Sequence, residues 1–244
     1  MYLVLVLAGI AAGITGSVAG LASLVSYPVL LALGLPPVTA NVANTVALVF
    51  GGASAVTASR VELAGQARQM RPLALATVVG GTLGGVLLLV APAASFEYVV
   101  PWLIAGASAA ILLPTRPRAA TPPRFHQTTL IAGTTLIGVY GGYFGAASGV
   151  LLLALLLAMT DEGFARSNAA KNLLLTLANA VAALVFIYFG AVRWLAALPL
   201  AVGFLIGGQL GPAIVRRAPP ARLRWLVALA GIGLALDLGW KTYR

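Results

Sequence analysis

Hydroxyl and amide side chains set at fixed spacing beside clustered glycines are the residues of this chain best suited to chemistry. Gly13-Ile14-Thr15-Gly16-Ser17-Val18-Ala19-Gly20-Leu21-Ala22-Ser23 recurs in the second half as Gly138-Val139-Tyr140-Gly141-Gly142-Tyr143-Phe144-Gly145-Ala146-Ala147-Ser148. Three glycines and a serine keep their places in both copies. A second match follows each copy: Asn41-Val42-Ala43-Asn44-Thr45 corresponds to Asn168-Ala169-Ala170-Lys171-Asn172. Asn41 matches Asn168, Asn44 matches Lys171 and Thr45 matches Asn172, and polar residues three and four apart share one helical face. These groups suit the holding of a small oxyanion. Where a glycine-rich segment breaks an apolar stretch, the next helix starts with unpaired backbone N–H groups and the positive end of its dipole.

Helices are expected to begin at Leu21 and Ala146 and to point such ends at a common point near the membrane midplane. Thr15, Ser17, Ser23 and Ser148 add hydroxyls, while Gly16, Gly20, Gly141, Gly142, Gly145 and Gly149 let backbone come close to a ligand. Asn41, Asn44, Thr45, Asn168, Lys171 and Asn172 complete the candidate substrate-binding set. Blander roles stand beside this one. Glycine four apart is also how membrane helices pack. Ser23 and Ser148 can bond back to carbonyls, and the asparagines can cap helix starts. Lys171 either snorkels to the headgroups or meets an anion at the inner mouth. Gln209, Thr176 and Asn179 are either interhelical glue or lining.

Other chemistries lack their residues. The chain has no cysteine and one histidine, His126, which falls in a linker, so no metal ligand set is expected. Glu62, Asp161 and Glu162 belong to loops, Glu97 to an external loop and Asp237 to a helix end, which leaves no carboxylate relay within a span. No phosphate-binding glycine-lysine loop is present, and no base lies near a serine nucleophile. No catalytic residue, cofactor or enzyme activity is expected.

The elements that must position these residues are membrane spans. Apolar residues make up 61% and charged residues 8% of the 244 positions, and mean hydropathy is +1.01. Soluble domains carry about 25% charged residues. The expected fold is an all-α polytopic membrane protein. Ten apolar segments can be read: Tyr2 to Ala19, Leu21 to Leu35, Ala40 to Ser59, Pro72 to Ala91 and Tyr98 to Leu113, then Gln127 to Phe144, Ala146 to Met159, Ser167 to Phe189, Leu195 to Val215 and Leu223 to Leu238. A crossing takes about 20 residues, so the second segment of each half is too short. Each half therefore reads as a broken helical hairpin plus three transmembrane helices. The amino terminus lacks a basic leader pattern and reads as the first membrane segment.

The net charge of +10 reflects topology here, not nucleic acid. Placing Arg60, Arg68, Arg71, Arg116, Arg118, Arg124, Arg166, Lys171, Arg216, Arg217, Arg222 and Arg224 in the cytoplasm leaves outside only Arg193, Lys241 and Arg244 of the 15 basic residues. That requires the two halves to be inverted repeats. The expected organisation is a first membrane repeat at 1–114, a cytoplasmic linker at 115–126 whose prolines oppose helix, and a second repeat at 127–244, together forming one transport domain. The amino terminus is then external. The expected partners are a small anion and the lipid bilayer, with no nucleic acid; self-association is left open.

The run from Gly138 to Gly149 resembles the second-repeat signature of the TauE/SafE family of sulfite exporter-like permeases. The first ladder, with Pro28 and the Ala40-Asn41-Val42-Ala43-Asn44-Thr45 segment after it, resembles that family's first repeat. The resemblance covers nearly the whole chain. It departs at Val18-Ala19-Gly20-Leu21, where the family often has more glycine, and at Ser148-Gly149. The resemblance implies a multi-pass permease of the bacterial inner membrane for small sulfur-containing or organic anions, such as sulfite, sulfoacetate, thiosulfate or sulfonates, working by alternating access. A passive anion channel and a non-transporting membrane subunit are the alternatives.

Overall fold

The computed structural model describes residues 1–96, 123–190 and 192–215, with isolated residues between 98 and 105 and between 232 and 240. All elements among them are helical: α1 (Tyr2–Ala19), α2 (Ala22–Ala32), α3 (Pro37–Ala58), the single turn α4 (Arg60–Leu63), α5 (Ala67–Val90), α6 (Pro123–Tyr143), α7 (Ser148–Met159), α8 (Phe164–Phe189) and α9 (Trp194–Val215). Apart from those isolated residues, the expected segments Tyr98 to Leu113 and Leu223 to Leu238 lie outside the described residues, as do the basic loop at 216–224 and most of the 115–126 linker. α6 starts at Pro123, inside the expected linker. Proline suits a first helical position, where its missing N–H would have no partner anyway.

α1, α3, α5, α8 and α9 are long and apolar enough to cross a membrane. α2 and α7, with 11 and 12 residues, reach only about 16–18 Å at 1.5 Å per residue. The chain is a polytopic α-helical membrane protein in which each of these short helices follows a broken one.

Packing has a two-fold pattern. α1 packs chiefly on α9, and α5 chiefly on α6; α3 lies against α8 and α9, and α5 also against α8. Exchanging α1 with α6, α2 with α7, α3 with α8 and α5 with α9 carries α1–α9 into α6–α5 and α3–α9 into α8–α5, and leaves α3–α8 as the pair on the pseudo-axis. Glycine makes the closest ones. A Cβ on Gly13 would stand 2.9 Å from Gly207 Cα, and one on Gly142 would stand 3.0 Å from Gly81 Cα. The first part of each ladder is thus a packing seam, α1 on α9 and α6 on α5, held by close backbone contact.

The loops after α3 and α7 meet at one end of the bundle. Gln66 Nε2 donates to the Arg166 carbonyl at 3.4 Å, and Arg166 donates to the Ala64 carbonyl at 3.3 Å and pairs with Glu162. Arg60, Arg68 and Arg166, assigned to one side by charge, lie on elements that share this end.

Candidate anion site

Both breaks are built by left-handed residues. Gly20 has φ 76° and Gly145 has φ 73°, a region open to glycine and costly for other residues. At the first break, the Gly20 N–H bonds to the Gly16 carbonyl at 2.8 Å and the Leu21 N–H to the Thr15 carbonyl at 3.4 Å. At the second, the Gly145 N–H bonds to the Tyr140 carbonyl at 2.9 Å, and the Tyr140 hydroxyl donates to the Ala146 carbonyl at 2.6 Å. Ala147 is also left-handed, φ 55°, which delays α7 to Ser148, two residues past the expected start. Phe144 is anchored edge-on to Tyr27, ring centres 5.2 Å apart. The two breaks touch: a Cβ on Gly149 would press on the Gly20 backbone, and one on Gly20 on that of Gly149.

The amides cap helix ends, but not those of their own helices. Asn41 and Asn168 lie a turn inside α3 and α8, whose own N-cap residues, Pro36 and Gly163, make no side-chain cap bond. Asn41 Nδ2 donates to the Tyr143 carbonyl at 2.8 Å, and Asn168 Nδ2 donates to the Ser17 carbonyl at 2.9 Å. Each half therefore satisfies carbonyls left open at the end of the other half's broken helix. Asn172 Nδ2 reaches the same Ser17 carbonyl at 3.4 Å. Replacing either Asn41 or Asn168 by Ala should lower unfolding stability by about 1 kcal/mol, the net worth of a buried hydrogen bond. Thermal unfolding of the purified protein checks this, and an unchanged midpoint in both variants would show the caps to be idle.

Lys171 does not snorkel. It is 0% exposed, and its Nζ donates to the Gly16 and Ser17 carbonyls at 3.0 and 3.3 Å. A cation at the C-terminal end of α1 meets the negative end of that helix's dipole. Among the described residues no carboxylate bonds to it. Of the two roles open to it, the structure gives it neither a headgroup nor a place on the cavity wall, but a cap on the end of α1.

A cavity of about 60 Å³ opens where the breaks meet. With about 10–15 Å³ needed per water-sized group, it has room for a small oxyanion. The expected residues on its wall are Gly16, Ser17 and Gly20 of the first ladder, Ser23 of α2, Gly145 and Ser148 of the second break, and Asn172 of α8. The first residues of both short helices, Ala22 and Ser148, line it, so two helix N-termini converge there.

The other candidates stand behind the wall or away from it. Thr15 turns its hydroxyl to the Ala11 and Ala12 carbonyls. Asn41, Asn168 and Lys171 cap helix ends, as above. Asn44 lies behind Ser23, Thr45 is buried on α3, Gly141 and Gly142 belong to α6, and Gly149 packs on Gly20. Thr176 and Asn179 are lining. Gln209 is glue: Ser54 of α3 donates to its Oε1 at 3.3 Å. Sequence reading missed Gly51 and Gly52, which form wall from α3. The paired glycines in the middle of a span were the available signal.

Fold and site together define a polytopic helical membrane protein with a small polar cavity between two broken hairpins. The sequence matches the family described as "Sulfite exporter TauE/SafE" over residues 5–238. The chain belongs to this family. It is similar to the "Probable membrane transporter protein ORF9" of a Sinorhizobium species, 26% identical over 96% of this chain and 90% of that one. It is also similar to the "Probable membrane transporter protein YfcA" of Escherichia coli K12, 26% identical over 95% of this chain and 87% of that one. A Haemophilus influenzae "Probable membrane transporter protein" is 22% identical over 95% of this chain and 93% of its own length. No solved structure matches the chain.

Proposed function

We propose that the protein is a secondary transporter for small sulfur-containing or organic anions, sulfite among them, and not an enzyme. The observation that carries this reading is the convergence of the α2 and α7 N-termini on one cavity, with the buried Lys171 ammonium bonded directly behind its wall. The Ala22 and Ser23 N–H groups bond to no carbonyl among the described residues, whereas the Ser148 N–H is already bonded to the Gly145 carbonyl at 3.1 Å. The two α2 N–H groups, the dipoles of both short helices and the Lys171 ammonium all favour negative charge. Among the described residues no acidic one lines the cavity to oppose it.

The halves act as inverted repeats that rock against one another about this site. The exchange of packing partners between the halves supports a two-fold relation, and the distribution of basic residues supports its inversion. The protein sits in the bacterial inner membrane with its amino terminus outside and the inter-repeat linker inside. The family description and the names of the relatives support transport as the activity.

Uptake of labelled sulfite into liposomes carrying the purified protein tests this reading. Flux should saturate, and small oxyanions, but not a neutral sulfone of similar size, should compete. Flux that never saturates would make the protein a channel. No anion flux, with no stabilisation of the protein by any anion, would end the reading.

A further inference from the structure

The cavity wall is polarised in its hydrogen bonding. Four hydroxyl-bearing residues line it: Ser17, Ser23, Ser148 and Thr176. Three direct their protons at main-chain carbonyls: Ser17 to Gly13 at 2.7 Å, Ser148 to Gly145 at 2.9 Å and Thr176 to Asn172 at 2.6 Å. Ser17 Oγ packs against Gly211 of α9; the Ser148 and Thr176 oxygens can offer the cavity lone pairs and no proton.

Ser23 has the opposite polarity. Ser26 Oγ lies 2.5 Å from Asn44 Oδ1, and Asn44 Nδ2 lies 3.1 Å from Ser23 Oγ. The shorter distance is that of an O–H···O bond, whereas N–H···O bonds run about 2.7–3.2 Å. The amide oxygen therefore faces Ser26 and the NH₂ faces Ser23. Ser26 Oγ also stands 3.0 Å from the Ala22 carbonyl, the longer of its two contacts. With one lone pair taken by Asn44, Ser23 keeps a proton that no described residue accepts. Its side chain is buried, at 4% exposure, and it lines the cavity, so the cavity is where that proton can go.

The matched position in the other half holds Lys171 in place of Asn44, and Lys171 turns to the α1 carbonyls instead of to Ser148. The repeats have thus diverged into a donating side, Ser23 with the α2 N-terminus, and an accepting side, Ser148 and Thr176. Asn179, which has no hydrogen bond among the described residues, can serve either.

We infer that the site selects a singly charged oxyanion that still carries one O–H, with Ser23 donating to its oxygens and Thr176 and Ser148 accepting its proton. This rests on the anion-transport reading above. An aprotic anion would bring oxygens against two oxygens whose protons point away. Turning one hydroxyl round forfeits its bond to a carbonyl. A site built to bond a ligand's hydroxyl rejects the analogue that lacks it.

Methylphosphonate and methanesulfonate make the test. Below neutral pH both carry one negative charge and share a shape, but only methylphosphonate keeps an O–H. Affinities come from ligand-dependent thermal stabilisation of the purified full chain, with sulfite as a third ligand. Methylphosphonate should bind at least about tenfold more tightly than methanesulfonate. Thr176→Val should narrow that ratio, and Ser148→Ala gives a second reading should the first variant not fold. Ser23→Ala should weaken both ligands and leave the ratio unchanged. Equal affinities for the two ligands would overturn the inference while leaving anion binding intact. A flat response to all three ligands would remove the anion reading and this inference with it.

Discussion

Replacing Lys171 by Met should reduce sulfite transport and anion-dependent stabilisation by about thirty-fold while leaving a folded protein. The ammonium is buried and bonded to the Gly16 and Ser17 carbonyls, and both of those residues form cavity wall. A unit charge about 7 Å from an anion contributes about 2 kcal/mol at an effective dielectric of about 20, or about thirty-fold in affinity. Stability should respond far less, because two effects oppose. The α1 carbonyls lose a donor, although Asn168 and Asn172 still bond to that of Ser17. At the same time a buried charge without a carboxylate partner among the described residues is replaced by an apolar chain of similar length, a change that is often neutral or favourable. Uptake into liposomes and thermal unfolding with and without sulfite separate the two quantities. Wild-type transport by the folded variant would show that the cation only ties α8 to α1.

What could be read before the structure was whatever depends on local pattern. Segment ends such as Ala19, Met159, Phe189 and Val215 follow from apolar runs stopped by glycine, polar residues or charge, and the short α2 and α7 follow from length alone. Part of the site was legible for the same reason: the ladders mark the breaks, and Ser23 and Ser148 sit at fixed steps from them. The direction in which a polar side chain points was not legible. Asn41 and Asn168 stand near their own helix starts in sequence, yet they cap helices of the opposite half, a choice made by long-range packing. Lys171 carried the same ambiguity. From the sequence a long cation near a helix start can reach the headgroups, and only the arrival of the α1 end beside it makes inward hydrogen bonds available. Gly51 and Gly52 look like any packing glycines until Phe204 and Thr176 are seen against them.

Gly20→Ala should cost about 2–5 kcal/mol of stability, whereas Gly34→Ala should cost about 1–2 kcal/mol. The two glycines share a left-handed conformation, φ 76° and 85°, so each substitution forces an L-residue into a region that costs about 1–2 kcal/mol. Their surroundings differ. A Cβ on Gly34 has nothing within 4 Å, but one on Gly20 would lie 2.5 Å from Gly149 Cα. That overlap is backbone against backbone, with no side chain able to swing aside, and overpacking of this kind costs a further 1–3 kcal/mol or so. Relief requires the two breaks to separate. The Gly149 side is not free to retreat, because Gly145, Ala147 and the Tyr140 hydroxyl fix the second turn. Separation would also pull the start of α2 away from that of α7, and with it the wall that the two share around the cavity. Gly20→Ala is therefore expected to lose stabilisation by sulfite together with its intrinsic stability, while Gly34→Ala keeps the full ligand response at a slightly lower midpoint. Thermal unfolding of both variants with and without sulfite gives all four values. Equal costs for the two substitutions would mean that the breaks do not touch in the membrane, and the shared cavity would lose its physical basis.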